Sequence, residues 1–340
     1  MRKKKILISA AEPSGDALGA LLIQALSAQH SIEAVGLTGP KLRDAGVQSL
    51  FRMEEMCAMG LVEVLKKRKP ILEAKRRLHD ALDDSIDVCI AIDAPDLHLP
   101  LLRAAKERSI FSVGYVSPQI WAWRKGRSKT VARSMDRLLC LFDFEPALYP
   151  TDFDAQWVGH PIADRLPQKR TVQPRHFALF PGSRQHEIDR HLPIYLQTAA
   201  LIEDARFTLS IPKHLQTPTL PDNVERTEEG AAAALTAQAA LCKSGTISLE
   251  LAHLNIPTVV AHRVHPLTYA MARLFVRHLP YFAMPNILSQ EEVMPEYIQH
   301  LRPSTLAQAL QTVKAPEADL RSIGEPGAVQ RAANLIWREA

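Results

Sequence analysis

Two distant stretches of the chain share one order of apolar and polar positions. The apolar run Lys4–Ala10 is followed by the small polar turn AEPSGD and then by residues 16–29, whose apolar side chains fall on one helical stripe. Residues 176–204 repeat this order around the turn Pro181-Gly182-Ser183-Arg184. Each stretch predicts a buried strand, a tight turn and an amphipathic helix, with Ser14 as the N-cap of the first helix.

Apolar runs of strand length alternate with helical patterns through the rest of the chain. In the first half the runs are VCIAID, FSVGYVS and LLCLF, and in the second half they are RFTLSIP, AALCK and TVVAH. This alternation favours parallel sheets covered by helices on both faces, and hence an α/β fold of two Rossmann-like, doubly wound domains facing a cleft. A polar, proline-containing segment near residues 159–175 predicts the boundary. We assign residues 1–165 to an N-terminal domain, 166–325 to a C-terminal domain and 326–340 to a last helix.

Composition excludes several classes of protein. A chain of 340 residues with 46% hydrophobic and 23% charged residues is typical of a globular protein and suits two domains. The first apolar run is too short for a signal peptide, and no run approaches the ~18–20 residues that span a bilayer. The net charge of +4 favours anionic ligands but does not indicate nucleic acid. The cysteines lie far apart in apolar surroundings, which predicts reduced core thiols at Cys57, Cys89, Cys140 and Cys242.

The stretch Val88–Pro100, VCIAIDAPDLHLP, ends an apolar strand in two carboxylates braced by a proline. Ligands of doubly wound sheets bind beyond the carboxyl ends of the strands, which is where this strand delivers Asp93. Asp93 is therefore a candidate catalytic carboxylate, and the alternative is that it only caps the next helix. Asp96 could orient the loop or cap that helix.

Two turns have the composition of phosphate-binding sites. Lys243-Ser244-Gly245-Thr246 follows a strand and opens a helix, whose N–H groups and positive dipole favour anions. Glu250, one turn further on, could accept hydrogen bonds from ribose hydroxyls. Arg184 in the turn PGSR could bind a diphosphate through two N–H groups. The alternatives are an ordinary capped helix and a surface arginine.

Other nucleotide and metal motifs do not fit. Neither turn matches G-x-G-x-x-G or the P-loop pattern, which argues against nicotinamide enzymes and Walker-type ATPases. His186 and His191 are five residues apart and diverge on a helix, so we predict no metal site there.

Six motifs occur in order over roughly residues 4–300, namely AEPSGD, IDAPD, YVSPQIWAWR, FPGSR, KSGTISLE and PNILSQEEVMPE. YVSPQIWAWR and IDAPD are the specific ones, whereas GSR and SGT occur in many nucleotide-sugar enzymes. Taken together they make the chain similar to the lipid-A-disaccharide synthases, glycosyltransferase family 19. The resemblance implies the GT-B fold, in which the last helix crosses back to the N-terminal domain.

The resemblance also implies a reaction. UDP-2,3-diacylglucosamine would donate its sugar, with inversion, to the 6-hydroxyl of 2,3-diacylglucosamine 1-phosphate (lipid X). The products would be a β(1→6) disaccharide 1-phosphate and UDP, in the lipid A and lipopolysaccharide synthesis of Gram-negative bacteria. Such a displacement needs a base for the acceptor hydroxyl and stabilisation of the leaving diphosphate. Asp93 matches the family's proposed base, and no metal or other cofactor is implied because cations and helix dipoles can neutralise UDP.

The family's other site residues carry over by motif. Those expected to bind UDP and the donor are Ser183, Arg184, Lys243, Ser244, Gly245, Thr246, Glu250 and Asn286. Those expected on the acceptor side of the cleft are Glu12, Ser14, Gly15, Asp16, Asp96, Trp123 and Arg124. The aromatic pair Trp121 and Trp123 could contact sugar or acyl chains or belong to the core. A basic stretch could lie near the acceptor phosphate, at Arg124, Lys125, Arg127, Lys129 and Arg133.

Three pairs depart from the family's pattern. Leu97-His98 stands where the family usually has Phe-Asn, His262-Arg263 stands for an aromatic-basic pair, and Ser289-Gln290 stands where a basic residue is usual. These departures leave the base and nucleotide site intact but bear on acceptor and acyl-chain preference.

The segment Phe51–Leu65 is rich in Met and aliphatic residues, and a cluster of cations follows it. The pattern fits either a core helix with a solvated basic turn or an apolar patch that docks on an anionic lipid surface. The acylated substrates favour peripheral contact with the cytoplasmic face of the inner membrane. The expected contact residues are Met56, Met59, Leu61, Val62, Lys66, Lys67, Arg68 and Lys69. The other partners we consider are the two lipid substrates and a second copy of the chain in a homodimer.

Alternative functions share the fold or the ligand. A UDP-N-acetylglucosamine 2-epimerase and a MurG-like transferase would keep the GT-B fold, but YVSPQIWAWR and IDAPD argue against both. A non-catalytic protein that binds nucleotide-sugar lipids is disfavoured by Asp93.

Overall fold

The computed structural model describes residues 2–57, 68–123, 125–164, 170–264, 269 and 280–337. These residues form two compact units, Met1–Arg165 with Ser322–Ala340, and Leu166–Arg321. Each unit is built on one parallel sheet, and none of the helices among the described residues is long and apolar enough to cross a membrane.

The first unit contains a seven-stranded sheet in the order β3-β2-β1-β4-β5-β6-β7. Its strands are β1 (Lys4–Ala10), β2 (Ile32–Thr38), β3 (Gln48–Arg52), β4 (Val88–Ile92), β5 (Phe111–Tyr115), β6 (Arg137–Cys140) and β7 (Asp154–Trp157). The chain starts in the middle of the sheet, adds β2 and β3 on one side and β4–β7 on the other. The switch point therefore lies between β1 and β4, whose last paired residues are Ala10 and Ile92.

Helices cover both faces of this sheet. They are α1 (Pro13–Gln29), α2 (Pro40–Asp44), α3 (Met53–Cys57), α4 (Arg68–Asp80), α5 (Pro95–Glu107), α6 (Ile120–Trp123) and α7 (Ser128–Ser134). Helix α1 lies close to β4 because it carries glycine where it crosses the strand. A Cβ added at Gly19 would lie 2.8 Å from Ile92 Cδ1. On the other face, Leu78 and Leu101 belong to one buried cluster with Leu138 of the sheet.

The second unit contains a six-stranded sheet in the order β10-β9-β8-β11-β12-β13. Its strands are β8 (His176–Phe180), β9 (Arg206–Ser210), β10 (Val224–Thr227), β11 (Ala239–Cys242), β12 (Thr258–His262) and β13 (Glu296–Ile298), and its helices are α8 (Gln185–Ala200), α9 (Thr246–His253), α10 (Met284–Ser289) and α11 (Pro303–Thr312). The switch point lies between β8 and β11, which pair directly. The predicted α/β fold with two parallel sheets is thus confirmed.

The last helix, α12 (Ala328–Trp337), belongs to the first unit and contacts α1. Gln29 Nε2 donates a hydrogen bond of 2.8 Å to Asn334 Oδ1, and the rings of His30 and Trp337 meet edge to face at 4.8 Å. The return to the first unit begins at Ser322, a few residues before the expected helix start at 326.

Two details of the sequence prediction are wrong. Ser14 does not cap α1, because the helix begins at Pro13 and Glu12 is the N-cap residue; a proline suits the first helical position. Phe51 does not open a surface patch, because it lies in β3 and is only 4% exposed. The predicted contact residues between 58 and 67 lie outside the described residues, as do the side chains of Met56 and Arg68.

Three of the cysteines are buried free thiols, as predicted, at Cys89, Cys140 and Cys242. Burial raises the pKa of the Cys89 thiol to about 12, so it stays protonated. The side chain of Cys57 lies outside the described residues.

Candidate functional site

Asp93 follows β4 at the switch point of the first sheet, in a strained backbone. Asp93 and Ala94 have φ angles of 52° and 45°, which is the left-handed region that non-glycine residues enter at a cost of about 1–2 kcal/mol each. The Asp93 N–H donates to the Tyr115 carbonyl at 3.0 Å. The N-cap of α5 is Ala94, so Asp93 is not in the capping position. Strain of this kind is typical of a residue held for function.

The buried His98 side chain forms a hydrogen bond with the backbone of Asp93. Its Nδ1 lies 2.7 Å from the Asp93 carbonyl and its Nε2 lies 2.8 Å from Ser9 Oγ in β1. A carbonyl oxygen only accepts hydrogen bonds, so Nδ1 carries the hydrogen and Nε2 accepts from the Ser9 hydroxyl. The side chain is 1% exposed, and this burial lowers the pKa of His98 to about 4. His98, which departs from the family's pattern, is therefore a neutral, buried imidazole that is hydrogen-bonded to the Asp93 carbonyl.

Asp96 is solvent-exposed and is not the cap residue of α5, which is Ala94. Its carboxylate, 80% exposed, forms an ion pair of 3.2 Å with Arg127 of the basic stretch, and its carbonyl accepts from Lys75 Nζ. Asp96 is thus already inside α5 and links it to the stretch that begins at Arg124. Arg124 itself and the side chain of Trp123 lie outside the described residues.

The turn after β1 divides into surface and core. Glu12 is half-buried and Ser14 is exposed, whereas Gly15 and Asp16 are buried. The Asp16 carboxylate, 2% exposed, accepts backbone N–H groups at 2.8–3.1 Å from the start of α2, at Gly39, Lys41 and Leu42. The expectation that Asp16 lines a cleft is therefore replaced by a structural role, because both oxygens hold the turn before α2.

Glu145 is a buried carboxyl group that the sequence analysis missed. It follows β6, and its Oε2 accepts the N–H groups of Leu141 and Phe142 at 3.0 and 3.1 Å. Burial raises its pKa to about 7 even though these hydrogen bonds oppose the shift. Close by, Ser117 Oγ and Tyr149 Oη lie 2.8 Å apart. Nearby, Trp121 packs edge to face on Phe144, with the ring centroids 5.9 Å apart.

In the second unit the two predicted phosphate-binding turns come together, since they follow the adjacent strands β8 and β11. Glu187 of α8 joins them. Its Oε1 lies 2.8 Å from Lys243 Nζ and 3.6 Å from an Arg184 N–H group, and its Oε2 accepts the Ser183 N–H at 2.9 Å. Burial raises the pKa of Glu187, but the charge and hydrogen bond of Lys243 outweigh it, so the pKa lies below its ordinary value. Glu187 is ionised and holds two cations at one edge of the sheet.

This role of Glu187 was not predicted, although its position at the start of α8 is a signal for it. Glutamate at the third position of a helix often reaches back to bond an N–H before the helix. Here the helix begins after Arg184, and Glu187 occupies that position. No group of side chains that could hold a metal ion occurs in the described part of the chain.

The second turn opens α9 with donors available. The N-cap of α9 is Gly245, which has no side chain that could accept the N–H groups of the first turn. Thr246, at the first position of the helix, is exposed. Ser244 Oγ donates to the Phe282 carbonyl at 2.9 Å, which leaves the Ser244 hydroxyl oxygen as an acceptor. Glu250 lies one turn along the helix and is half-buried. Backbone N–H groups at a helix start, next to Lys243, suit a phosphate.

Asn286 is fully buried and is connected to this turn through Glu296 and Phe282. Its Nδ2 donates to the Met294 carbonyl at 2.8 Å and to Glu296 Oε1 at 2.7 Å. Glu296 Oε2 in turn accepts the N–H of Phe282, whose carbonyl binds Ser244. The structure thus gives Asn286 a role in positioning, and a direct contact with the donor stays a prediction.

Two histidines, His191 of α8 and His262 of β12, pack against each other in the second unit. His191 Nδ1 donates to the Glu187 carbonyl at 2.8 Å, and the N–H of Arg263 donates to His191 Nε2 at 3.0 Å. The ring of His262 lies 5.4 Å from that of His191, and burial lowers its pKa to about 4. The pair His262-Arg263, which departs from the family's pattern, therefore packs on α8, the helix that carries Glu187.

The chain is similar to a known family over nearly its whole length. The family described as lipid-A-disaccharide synthetase matches residues 6–321. The chain is 35% identical to the lipid-A-disaccharide synthase of Granulibacter bethesdensis, with 97% of this chain and 91% of the relative covered. It is 38% identical to that of Xylella fastidiosa, with 92% and 90% covered.

Solved structures share the fold. Acinetobacter baumannii MurG has a TM-score of 0.57 at 15% identity, and the UDP-GlcNAc 2-epimerase of Methanocaldococcus jannaschii has 0.62 at 12%, each with 98% of this chain and 99% of the other covered. The predicted GT-B fold is confirmed. Because the family match spans nearly the whole chain and relatives above 30% identity cover most of it, the chain belongs to the lipid-A-disaccharide synthetase family.

Proposed function

We propose that the protein is an inverting glycosyltransferase that joins UDP-2,3-diacylglucosamine to the 6-hydroxyl of 2,3-diacylglucosamine 1-phosphate. The products are the β(1→6) lipid A disaccharide 1-phosphate and UDP. One observation carries the proposal within the family: the Asp93 carboxylate follows β4 at the switch point of the first sheet, on a backbone that is strained and fixed by hydrogen bonds.

Asp93 acts as the general base. In one displacement, it takes the proton of the acceptor 6-hydroxyl while the oxygen attacks the anomeric carbon of the donor and UDP departs from the opposite face. A base of this kind contributes about 10²–10⁴-fold to the rate. A carboxylate suits the step because the proton is lost as the new bond forms and the hydroxyl becomes acidic.

The second unit stabilises the leaving UDP. Lys243 and Arg184 supply two positive charges at one edge of the sheet, and the start of α9 adds backbone N–H groups. Glu250, one turn along the same helix, is in position to accept hydrogen bonds from ribose hydroxyls. These groups take up the negative charge that develops on the diphosphate.

The acylated substrates bring the enzyme to a lipid surface. Among the described residues, α4 supports this through Leu72, which is 61% exposed, next to the exposed Lys69 at the end of the predicted contact segment. Apolar side chains beside cations suit an anionic membrane, each cation contributing about 1 kcal/mol. We propose peripheral contact with the cytoplasmic face of the inner membrane.

The decisive experiment compares Asp93→Asn with the wild type. Disaccharide formation is measured in mixed micelles containing EDTA, and UDP binding is measured by calorimetry. We expect Asp93→Asn to lose at least about 100-fold in kcat while its affinity for UDP is unchanged. The control is Asp83→Asn, which removes an exposed carboxylate before β4, at the other end of that strand, and should retain full activity.

The outcomes separate the parts of the proposal. Full turnover by Asp93→Asn would remove Asp93 as the base. A wild type that binds UDP but makes no disaccharide from these two lipids would contradict the substrate assignment. Epimerisation of UDP-N-acetylglucosamine by the wild type would favour the alternative enzyme with the same fold.

A further inference from the structure

We propose that His98 is a positioning residue for the transfer reaction, because its imidazole fixes the peptide carbonyl of Asp93 and thereby the direction of the Asp93 carboxylate. The inference rests on the proposed function, in which Asp93 is the base. His98 does not touch the reacting atoms; it acts through the backbone of the residue that does.

His98 connects the residue after β4 to a neighbouring strand. The imidazole bonds the Asp93 carbonyl through Nδ1 at 2.7 Å and Ser9 Oγ through Nε2 at 2.8 Å, while the His98 backbone N–H donates to the Ala94 carbonyl at 3.1 Å. Ser9 lies in β1, and Asp93 follows β4. One buried side chain on α5 therefore ties the residue after β4 to β1, the strand on the other side of the switch point.

The backbone at Asp93 is strained. Asp93 and Ala94 are consecutive non-glycine residues with positive φ, so this conformation is unfavourable unless the surrounding structure holds it. The Asp93 N–H is held by the Tyr115 carbonyl of β5, at 3.0 Å. The Asp93 carbonyl is held by His98. Because the backbone N–H and carbonyl of Asp93 are both fixed, its Cα–Cβ bond points in one direction.

The His98 imidazole has one defined tautomer and is neutral. The two acceptor and donor partners require the tautomer with hydrogen on Nδ1 and a lone pair on Nε2. Because His98 is almost fully buried, its pKa is lowered to about 4, so the ring is neutral at pH 7. A neutral ring donates to the carbonyl without placing a positive charge beside the base.

Two isosteres separate the two hydrogen bonds. In His98→Asn, the amide Nδ2 occupies the place of the imidazole Nδ1 and can still donate to the Asp93 carbonyl. In His98→Gln, the longer side chain places its amide near the former Nε2, where it can reach Ser9 but not Asp93. Both variants lose ring volume from the core, so both are expected to lower the unfolding temperature.

The expected result is a difference in kcat between variants of similar stability. His98→Asn should keep kcat within about threefold of the wild type, whereas His98→Gln should lose about 10- to 100-fold in kcat with little change in KM and none in UDP affinity. Equal losses of kcat in the two variants, or losses that follow their unfolding temperatures, would overturn the inference.

A spectroscopic measurement on the wild type does not depend on how the variants fold. The ¹⁵N chemical shifts of the imidazole in a long-range ¹H–¹⁵N spectrum distinguish the two tautomers, and we expect a protonated Nδ1 and an unprotonated Nε2 for His98. A hydrogen on Nε2 in an active wild type would overturn the inference alone. A wild type that makes no disaccharide, whatever its tautomer, would overturn the proposed function on which the inference rests.

Discussion

Lys243 Nζ lies 2.8 Å from Glu187 Oε1, and this ion pair connects the two turns that carry the cations of the second unit. Both side chains are largely buried, at 17% and 10% exposed, so the pair is weakly screened by solvent. Because Glu187 also accepts the Ser183 N–H, it fixes the turn after β8 and the turn after β11 in one arrangement. Contacts within the protein therefore hold the two predicted phosphate-binding turns together.

The Glu187 carboxylate should stabilise the protein in a pH-dependent manner. Its folded-state pKa is lowered below 4.5, so its contribution is fully present above pH 4.5 and is lost as the pH falls through the folded pKa. We expect Glu187→Gln to lower the free energy of unfolding by about 1–3 kcal/mol at pH 7 and by less at pH 3. Urea unfolding at the two pH values measures this difference. Glu203→Gln, an exposed glutamate beyond α8, should behave as the wild type at both. A loss of the same size at both pH values would show that Glu187 acts by packing alone.

Lys243→Met should weaken the binding of UDP specifically. The variant keeps the length of the side chain but removes the charge, and a hydrogen bond to a charged group contributes about 1.5–3 kcal/mol, which corresponds to about 10- to 100-fold in Kd. Calorimetry should show this loss for UDP and little change for uridine, because only UDP carries the diphosphate. Lys314→Met, an exposed lysine beyond α11, is the charge-matched control and should bind UDP normally. An equal loss for uridine would place Lys243 at the nucleoside instead.

Local patterns in the sequence located the loops of the site. The turns after β1, β4, β8 and β11 were found because each follows a continuous apolar run and has a small, polar composition. The strands β2, β3, β7, β10 and β13 were not predicted. Four of them, β3, β7, β10 and β13, lie at sheet edges and are only partly buried, so they lack a continuous apolar run. The fifth, β2, lies inside its sheet, but Glu33 and Gly36 interrupt its apolar positions.

Contacts between distant residues were beyond such patterns. Ser9 and His98 are 89 positions apart, and Asp16 reaches Gly39 across another strand. Nothing in the composition of AEPSGD distinguishes the buried Asp16 from the half-buried Glu12, because burial is decided by how α1 packs against β4 and α2. The roles of His98 and Asp16 therefore required the folded structure.

Gly182→Ala should disturb the turn after β8 more than an alanine at another glycine with positive φ. Gly182 has a φ of +136°, and an added Cβ would lie 2.6 Å from Glu187 Cβ. Both the backbone and the contact oppose a side chain, so we expect a loss of about 2–4 kcal/mol in stability and weaker UDP binding. The control, Gly230→Ala, has a φ of +59° with nothing within 4 Å, and should cost only about 1–2 kcal/mol with UDP affinity unchanged. Equal effects of the two substitutions would mean that the Glu187 contact is not limiting.

Glu145 should make the first unit less stable at higher pH. Its folded-state pKa is raised from 4.5 to about 7, so the folded protein holds this proton more tightly than the unfolded chain. Its stabilising contribution is therefore complete below pH 4.5 and is lost as the pH rises through 7, by about 3 kcal/mol. Glu145→Gln keeps an acceptor for the Leu141 and Phe142 N–H groups but does not ionise. We expect urea unfolding to show the variant gaining stability relative to the wild type between pH 4.5 and pH 8, whereas the exposed Glu107→Gln follows the wild type. If Glu145→Gln also follows the wild type across this range, the carboxyl group is ionised in the folded protein and the two backbone N–H groups outweigh its burial.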